Sequence, residues 1–477
     1  MMAGGRDTGV SEPDQGGTVD HRIVRAFGVA AVAALTLVGC SESEKATADK
    51  DTSSTIGADA KGSATTVAGD GTTVLSKFVG DNWFNGKVPA PKPAGSSKDP
   101  IKVGFMNVDS GPVGALPELH TSTDGAFEFI NKELGGVGGR PVELVPCLIS
   151  NPMSPDEAQG CARKLVDAKV VAVLGGIGLS NGPALKVFEE NGIPWVGGIP
   201  VNADEMTSPV SFQFSGGSPG AFTGFAQNAV EKEKAKKVAI LYGEYPSIEQ
   251  AAVGYGAAVA KALGAEVTTV SFPVVSQDYV TPVQKAVESD PDAIFVGAAD
   301  LACAPVMQAI ADLKSRAKVY LVGSCADVKQ LDKVGRDKVA GFRFNIENRL
   351  DQTASDAADG EIYEAAMEKY DPGTTPRSAA TVSFRGAMNL WAVLDELGPD
   401  ATSEQIMATL RKAKDRPSYD GHPYTCDGKQ IPALPSMCAS QQVIAELTPE
   451  STFVEASDGW IDVSEVLRST GVDGSTK

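Results

Sequence analysis

From residue 101 onward the sequence predicts an α/β protein built of two parallel-sheet blocks. Three observations carry this. Short, continuously apolar runs alternate with helical stretches, the pattern of strands buried on both faces and covered by helices. The alternation occurs twice, over about 101–215 and 217–345, with four or more strands each time. After Glu347 it stops; helices dominate to about Lys414, and a Pro-rich segment bracketed by Cys426 and Cys438 comes next.

In the first block the strands are Ile101–Met106, Val142–Val145, Val170–Leu174 and Pro194–Val196. Helices fall on Thr121–Leu134, Pro155–Ala168 and Pro183–Glu190. The second of these opens Pro155-Asp156-Glu157, with proline and two acids where a first turn favours them. In the second block, helix Ala221–Lys234 leads to strand Val238–Tyr242 and helix Ile248–Leu263. Strand Glu266–Phe272, helix Val280–Ser289, strand Ala293–Val296, helix Ala304–Lys314 and strand Lys318–Val322 complete it.

Parallel α/β sheets bind ligands beyond the carboxyl ends of their strands. That rule selects the loops starting at Asp109, Ile177 and Gly197 in the first block, and 242–247, 297–301 and 323–327 in the second. Tyr242 and Tyr245 are suitable walls for a small organic ligand, or equally packing tyrosines.

Gly178-Leu179-Ser180-Asn181-Gly182 matches the G-x-S-x-G nucleophile elbow and sits between a strand and a helix, as that motif requires. An exported serine hydrolase using Ser180 is therefore the alternative reading, with His422 as its base. The same loop, opening the helix at Pro183, also offers backbone N–H groups to an anion. The third reading is a tight Gly turn with no ligand. Gly176-Ile177-Gly178 and the run Gly135–Gly139 are fragments of a dinucleotide fingerprint, and neither completes it. No cofactor is expected.

The N-terminus carries an address. An apolar stretch from Ala26 to Val38 comes after His21, Arg22 and Arg25 and ends Leu37-Val38-Gly39-Cys40. It is shorter than the roughly 20 residues that span a bilayer and reads as an export signal; the alternative is an uncleaved anchor helix. The long polar segment before His21 raises the further reading that translation starts downstream. Residues 41–74 are rich in Ser, Thr, Ala, Asp, Gly and Lys, a composition that cannot bury a core. Leu75, Phe78, Trp83 and Phe84 form a patch fit to dock, and Pro89, Pro91 and Pro93 stiffen the approach to the first strand.

The net charge is −19, of which residues 1–39 contribute −1. Phosphate binding needs a basic face, so nucleic acid is not an expected partner. Seven cysteines minus Cys40 leave six, which fits an oxidising compartment. Of about 15 connectivities, proximity favours Cys147–Cys161, Cys303–Cys325 and Cys426–Cys438, with buried free thiols as the alternative. There is no C-x-x-C, and only His120 and His422 lie beyond Cys40, so no metal site is expected.

The Leu-Val-Gly-Cys ending resembles a bacterial lipoprotein signal, which implies cleavage before Cys40, lipidation of Cys40, and a membrane-anchored protein on the extracytoplasmic face. A second resemblance covers about residues 99–400. Ile101-Lys102-Val103-Gly104-Phe105, Ser110-Gly111-Pro112-Val113, Gly125-Ala126, Ile130-Asn131 and the run Gly135–Leu144 resemble type I substrate-binding proteins of the branched-chain amino acid class. So do Ala162–Val166, Gly192-Ile193-Pro194, Lys237–Tyr242 and Pro291–Phe295.

This resemblance implies two Rossmann-like lobes joined by a three-crossover hinge, closing on a small polar organic ligand (an amino acid, an amide or a small carboxylate). It implies no enzymatic activity, a monomer, and delivery of the ligand to an ABC permease in the membrane; a lipid-anchored sensor is the other use of the same fold. The implied parts are a signal over 1–39, a flexible tether over 40–98, lobe 1 over 99–216 and 346–425, and lobe 2 over 217–345 and 426–477. The implied first-lobe contacts are Ser110, Gly111 and Val113, then Leu179, Ser180 and Asn181, then Ile199, Pro200 and Asn202. The implied second-lobe contacts are Tyr242, Glu244 and Tyr245, then Ala299 and Asp300, then Ser324 and Asp327. Family members that take amino acids place an acid after the strand matching 318–322; this chain has Gly323-Ser324-Cys325 there. Asp300, Asp327 and Glu244 are the candidates to replace it.

Overall fold

A computed structural model describes residues 73–95, 99–347, 357–375 and 378–474. Cys40, the signal and residues 40–72 of the expected tether lie outside the described residues.

Residues 73–95 belong to the folded body, although the sequence reading places them in the tether. Strands β1 (Asn82–Trp83) and β2 (Gly86–Lys87) form a small hairpin. Trp83 and Leu75 are buried, with Trp83 5.9 Å from Trp391 and Phe84 5.1 Å from Tyr419, centroid to centroid. Beneath this strap lies Glu133, fully buried, whose carboxylate accepts from the Val74 and Leu75 amides at 2.8 and 2.7 Å and from the Tyr370 hydroxyl. Lys369 pairs with it at 3.3 Å. Four aromatic and aliphatic anchors outweigh the polar composition that precedes them, which is why the strap docks. Glu133→Ala strands these donors and should lower stability by about 2–3 kcal/mol. Limited proteolysis of that variant should cut residues 73–95 before either lobe.

Lobe 1 is a five-stranded parallel sheet in the order β4-β3-β5-β6-β7. Its strands are β3 (Ile101–Val108), β4 (Val142–Ile149), β5 (Ala172–Gly175), β6 (Trp195–Val196) and β7 (Ser211–Phe212). β3 and β5 are almost wholly buried, as their unbroken apolar runs require. The helix Pro155–Asp167 starts where expected: the Ser154 hydroxyl accepts from the Glu157 amide, and proline occupies the first turn.

Lobe 2 holds β8 (Lys237–Gly243), β9 (Glu266–Phe272), β10 (Ala293–Gly297), β11 (Lys318–Leu321) and β12 (Arg343–Ile346), parallel in the order β9-β8-β10-β11-β12. Beyond β12 the sheet turns antiparallel through β13 (Gln441–Leu447), with β14 (Phe453–Glu455) and β15 (Ile461–Asp462) paired to it.

The chain returns to lobe 1 through the helices Asp359–Tyr370, Ala380–Leu397 and Ser403–Arg411, whose buried residues join the lobe-1 core. It then crosses again to lobe 2 at β13. The lobes are thus joined by three crossovers: after β7, after β12, and before β13. The three cysteine pairs form the local disulfides that proximity favours, Cys147–Cys161, Cys303–Cys325 and Cys426–Cys438. Among the described residues no helix is long and apolar enough to cross a membrane.

Candidate ligand-binding cleft

A cavity of about 240 Å³ opens between the lobes. Loops at the carboxyl ends of both sheets wall it, as parallel-sheet geometry demands. Lobe 1 supplies Val113–Leu116 after β3, Ile177–Leu179 after β5, and Ile199 and Val201 after β6. Lobe 2 supplies Gly297–Asp300 after β10, and Val322–Ser324 after β11. Two helices add Phe222 and Ile248. Phe222 is held by glycines on both sides: a Cβ on Gly256 or on Gly297 would lie 2.8 Å from its ring. The lining is mainly aliphatic, and no Lys, Arg or His contributes to it among the described residues. Its acids are Asp300 from lobe 2, Glu364 and Asp420 from lobe 1, and Glu347 just after β12. Burial raises the Asp300 pKa, while Gln330, donating at 2.5 Å, opposes the rise.

The lobes touch across the mouth of this cavity. On one side the Ser180 and Tyr245 hydroxyls are 2.7 Å apart. On the other, the Leu301 amide donates to the Val113 carbonyl at 3.2 Å. Gly114 lies against lobe 2 with φ +96°, and a Cβ there would fall 2.7 Å from the Leu301 nitrogen and from Asp300. The molecule is therefore in a closed arrangement.

Behind the cavity, one ion pair joins the crossovers. Glu347 stands just after β12. Its Oε1 accepts from the Ser215 hydroxyl at 2.8 Å and the Gly216 amide at 2.9 Å, both in the first crossover. The same oxygen accepts from Gln442 Nε2 at 2.8 Å, beside the third crossover. Its Oε2 meets Arg385 at 2.9 Å, with both side chains under a tenth exposed.

Residues 100–431, well over half of the chain, match the family model described as periplasmic binding protein. The chain belongs to this family. It is a family of solute-binding proteins, and two lobes around a cleft are its architecture. No curated protein sequence matches this periplasmic binding protein. Solved structures do. A leucine-binding protein from Thermotoga maritima is 18% identical, with TM-score 0.63, covering 76% of this chain and 99% of its own. A branched-chain amino acid transporter substrate-binding protein from Streptococcus pneumoniae, in complex with isoleucine, is 17% identical with TM-score 0.62, covering 75% and 100%. An ABC transporter solute-binding protein from Rhodopseudomonas palustris, in complex with 4-hydroxybenzoate, is 19% identical with TM-score 0.63, covering 76% and 97%. At these identities the likeness is one of fold.

Of the ligand contacts expected from sequence, Val113, Leu179, Ile199, Ala299, Asp300 and Ser324 line the cavity. The others stand elsewhere. Ser180 and Tyr245 bond each other. Asn181 and Asn202 donate to Glu205, and Asn202 also to the Gly178 carbonyl, a network that shapes the loops after β5 and β6 from below. Burial outweighs these bonds at Glu205 and lifts its pKa to about 7. The Pro200 carbonyl accepts from Ser218 on the lobe-2 side. Ser110 and Gly111 are exposed on the loop after β3. Tyr242 faces a groove over β9, Glu244 accepts from Ser271, and Asp327 caps the helix Val328–Val334 by accepting from Lys329.

The two residues of the hydrolase reading have other partners. The Ser180 hydroxyl is bonded to Tyr245, while His422 lies against the Pro423 carbonyl and Trp460.

Phe222, Ile248, Tyr363 and Val382, all on helices, are among the cleft residues that sequence reasoning missed. A rule that selects loops passes over residues arriving from helices. One signal was present: Gly216, Gly220 and Gly224 recur every four residues, one helix face without side chains. Gln442 lies on that face, with its Nε2 2.6 Å from where a Gly216 Cβ would stand.

Proposed function

We propose that this chain is a lipid-anchored extracytoplasmic solute-binding protein that captures a small organic ligand between its lobes and delivers it to an ABC permease. The cavity carries this reading, since it is built jointly by the strand-end loops of both lobes and closed by contacts between them. The ligand is an amino acid, amide or small carboxylate with an apolar body, because aliphatic side chains and Phe222 supply most of the wall. A ligand carboxylate would meet backbone N–H groups, and an ammonium would meet Asp300, the expected replacement acid that lines the cavity. Isoleucine and 4-hydroxybenzoate, the ligands of the two solved relatives, both have such a body. Cys40 supports the lipid anchor through the sequence that precedes it. Cys40→Ser should release the protein from membranes into the soluble fraction.

Calorimetric titration of leucine, isoleucine, other amino acids, amides and 4-hydroxybenzoate tests the ligand reading. The expected result is binding by members with an apolar body, with compaction in solution scattering. Silence across the panel, with no ligand-dependent compaction, overturns it. Tyr245→Phe removes the bond to Ser180 and should weaken binding about 3- to 10-fold. The loss should lie in the dissociation rate, and the ranking of ligands should stay the same. A changed ranking would mean that Tyr245 touches the ligand itself.

A further inference from the structure

One wall of the cleft is supported from behind by the strap at residues 73–95. Gly360, Tyr363, Glu364 and Asp420 line the cavity on the lobe-1 side. Asp359, 6% exposed, opens the helix that carries the first three. Its Oδ1 accepts from the strap's Phe84 amide at 3.0 Å, and its Oδ2 accepts from the Asp420 amide at 3.3 Å. One residue earlier, the Ala358 amide donates to the Asn82 carbonyl of the strap at 2.8 Å. Aromatic rings make a second connection. Phe84 stands 5.1 Å from Tyr419, Tyr419 5.6 Å from Phe384, and Phe384 5.0 Å from Tyr363, centroid to centroid. Tyr419, Phe384 and Tyr363 are buried, and the Tyr419 hydroxyl donates to the Asp359 carbonyl at 2.9 Å. The strap therefore reaches the cavity wall by a polar route and by a packed one, although it precedes residues 100–431 that match the family.

We propose that the strap is a working part of the ligand site: Phe84, through Asp359 and Tyr419, sets the position of the wall made by residues 360–364 and 420. Phe84 is a positioning residue, since it does not itself line the cavity. Close-packed interiors have little slack, so a ring withdrawn from behind Tyr419 is felt at Phe384 and Tyr363. The Asp359 carboxylate serves the strap and the Asp420 amide together, so losing the strap frees it to turn away from the wall. Coupling of this kind is reciprocal. If the docked strap favours the wall that holds ligand, bound ligand favours the docked strap by the same factor. Capture in the cleft is thereby felt at residues 73–95, next in sequence to the stretch that runs from Cys40. The inference rests on the reading of this cavity as the ligand site.

Hydrogen exchange of the full chain without ligand tests the positioning. In Phe84→Ala the Asp420 amide should lose about tenfold in protection. The Ile199 amide, which lines the same cavity but is held by the Gly176 carbonyl, should keep its own. Phe84→Leu retains an apolar body and should restore most of the loss. Titration with isoleucine and with 4-hydroxybenzoate tests the coupling. Phe84→Ala should bind about tenfold more weakly than the native chain, a change that lost stability alone does not produce in a chain that is still folded. Saturating the native chain with whichever of the two binds should in turn slow exchange of the Phe84 amide. Trp83→Leu serves in both arms if Phe84→Ala does not fold, because the Trp83 ring stands 5.1 Å from Phe84. An unmoved Asp420 amide, or equal losses at Asp420 and Ile199, overturns the inference. Native affinity in Phe84→Ala overturns it as well. If the native chain binds neither probe, the functional reading is what fails, and the exchange comparison alone decides the strap's part in the wall.

Discussion

Gly114→Ala should reduce ligand affinity about 100-fold, equivalent to about 2.7 kcal/mol, while leaving both lobes folded. Gly114 is at φ +96°, and the Cβ added there would stand 2.7 Å from the Cβ and Oδ2 of Asp300 and from the Leu301 nitrogen. All three atoms belong to the opposite lobe. They cannot retreat without breaking the Leu301–Val113 bond, so relief of the clash is lobe opening itself. A ligand shifts the equilibrium only by its preference for the closed state, and the added methyl subtracts directly from that preference. The backbone cost of alanine at positive φ is separable. Gly192, at φ +63° with nothing within 4 Å of its Cβ position, is the control. Gly192→Ala should lower stability by about 1 kcal/mol and leave binding unchanged. Calorimetry with a ligand from the panel and exchange of the Leu301 amide read the two effects. Full affinity in Gly114→Ala would mean that ligand is held without closure at this rim.

The fold was legible because its strands are buried on both faces. Runs such as Val103–Met106 and Ala293–Val296 have one structural solution at that length, and the helices between them fix a parallel order. The antiparallel end of the second sheet was not legible. β14 and β15 are three and two residues long, and their pairing is set by β13 across the chain rather than by local pattern. At the cleft, the strand-end rule identified the right loops and not the right side chains. Ser180 is the clear case. A hydroxyl in a strand-to-helix loop suits an anion, a nucleophile or a partner tyrosine equally well. The choice of Tyr245 depends on how far the lobes close, which no local sequence records. Residues 73–95 were ambiguous for a similar reason: Trp83 and Leu75 dock only because Trp391 and the buried Glu133 wait on lobe 1.

Glu347→Leu should lower stability by about 3–5 kcal/mol, the usual cost of leaving one member of a buried ion pair alone. Arg385 is 4% exposed, and besides the Glu347 carboxylate it donates to the carbonyls of Glu347 and Phe214. Ser215, Gly216 and Gln442 would lose their shared acceptor at the same time. The double variant Glu347→Leu/Arg385→Met should cost much less than the sum of the two single changes, because two apolar side chains can fill a site that one unpaired charge cannot occupy. Stability is only one part of the expectation. Glu347 touches the first and third crossovers from its place after β12, so it fixes their spacing while the lobes turn about them. With the pair replaced, folding should recover but the hinge should lose its common pivot. Scattering of the double variant without ligand should then show a broader spread of lobe separations than the native chain. Recovery of both stability and the native spread would show that the crossovers are aligned by their backbone bonds alone, such as those of Gln213 to Ser436 and Cys438.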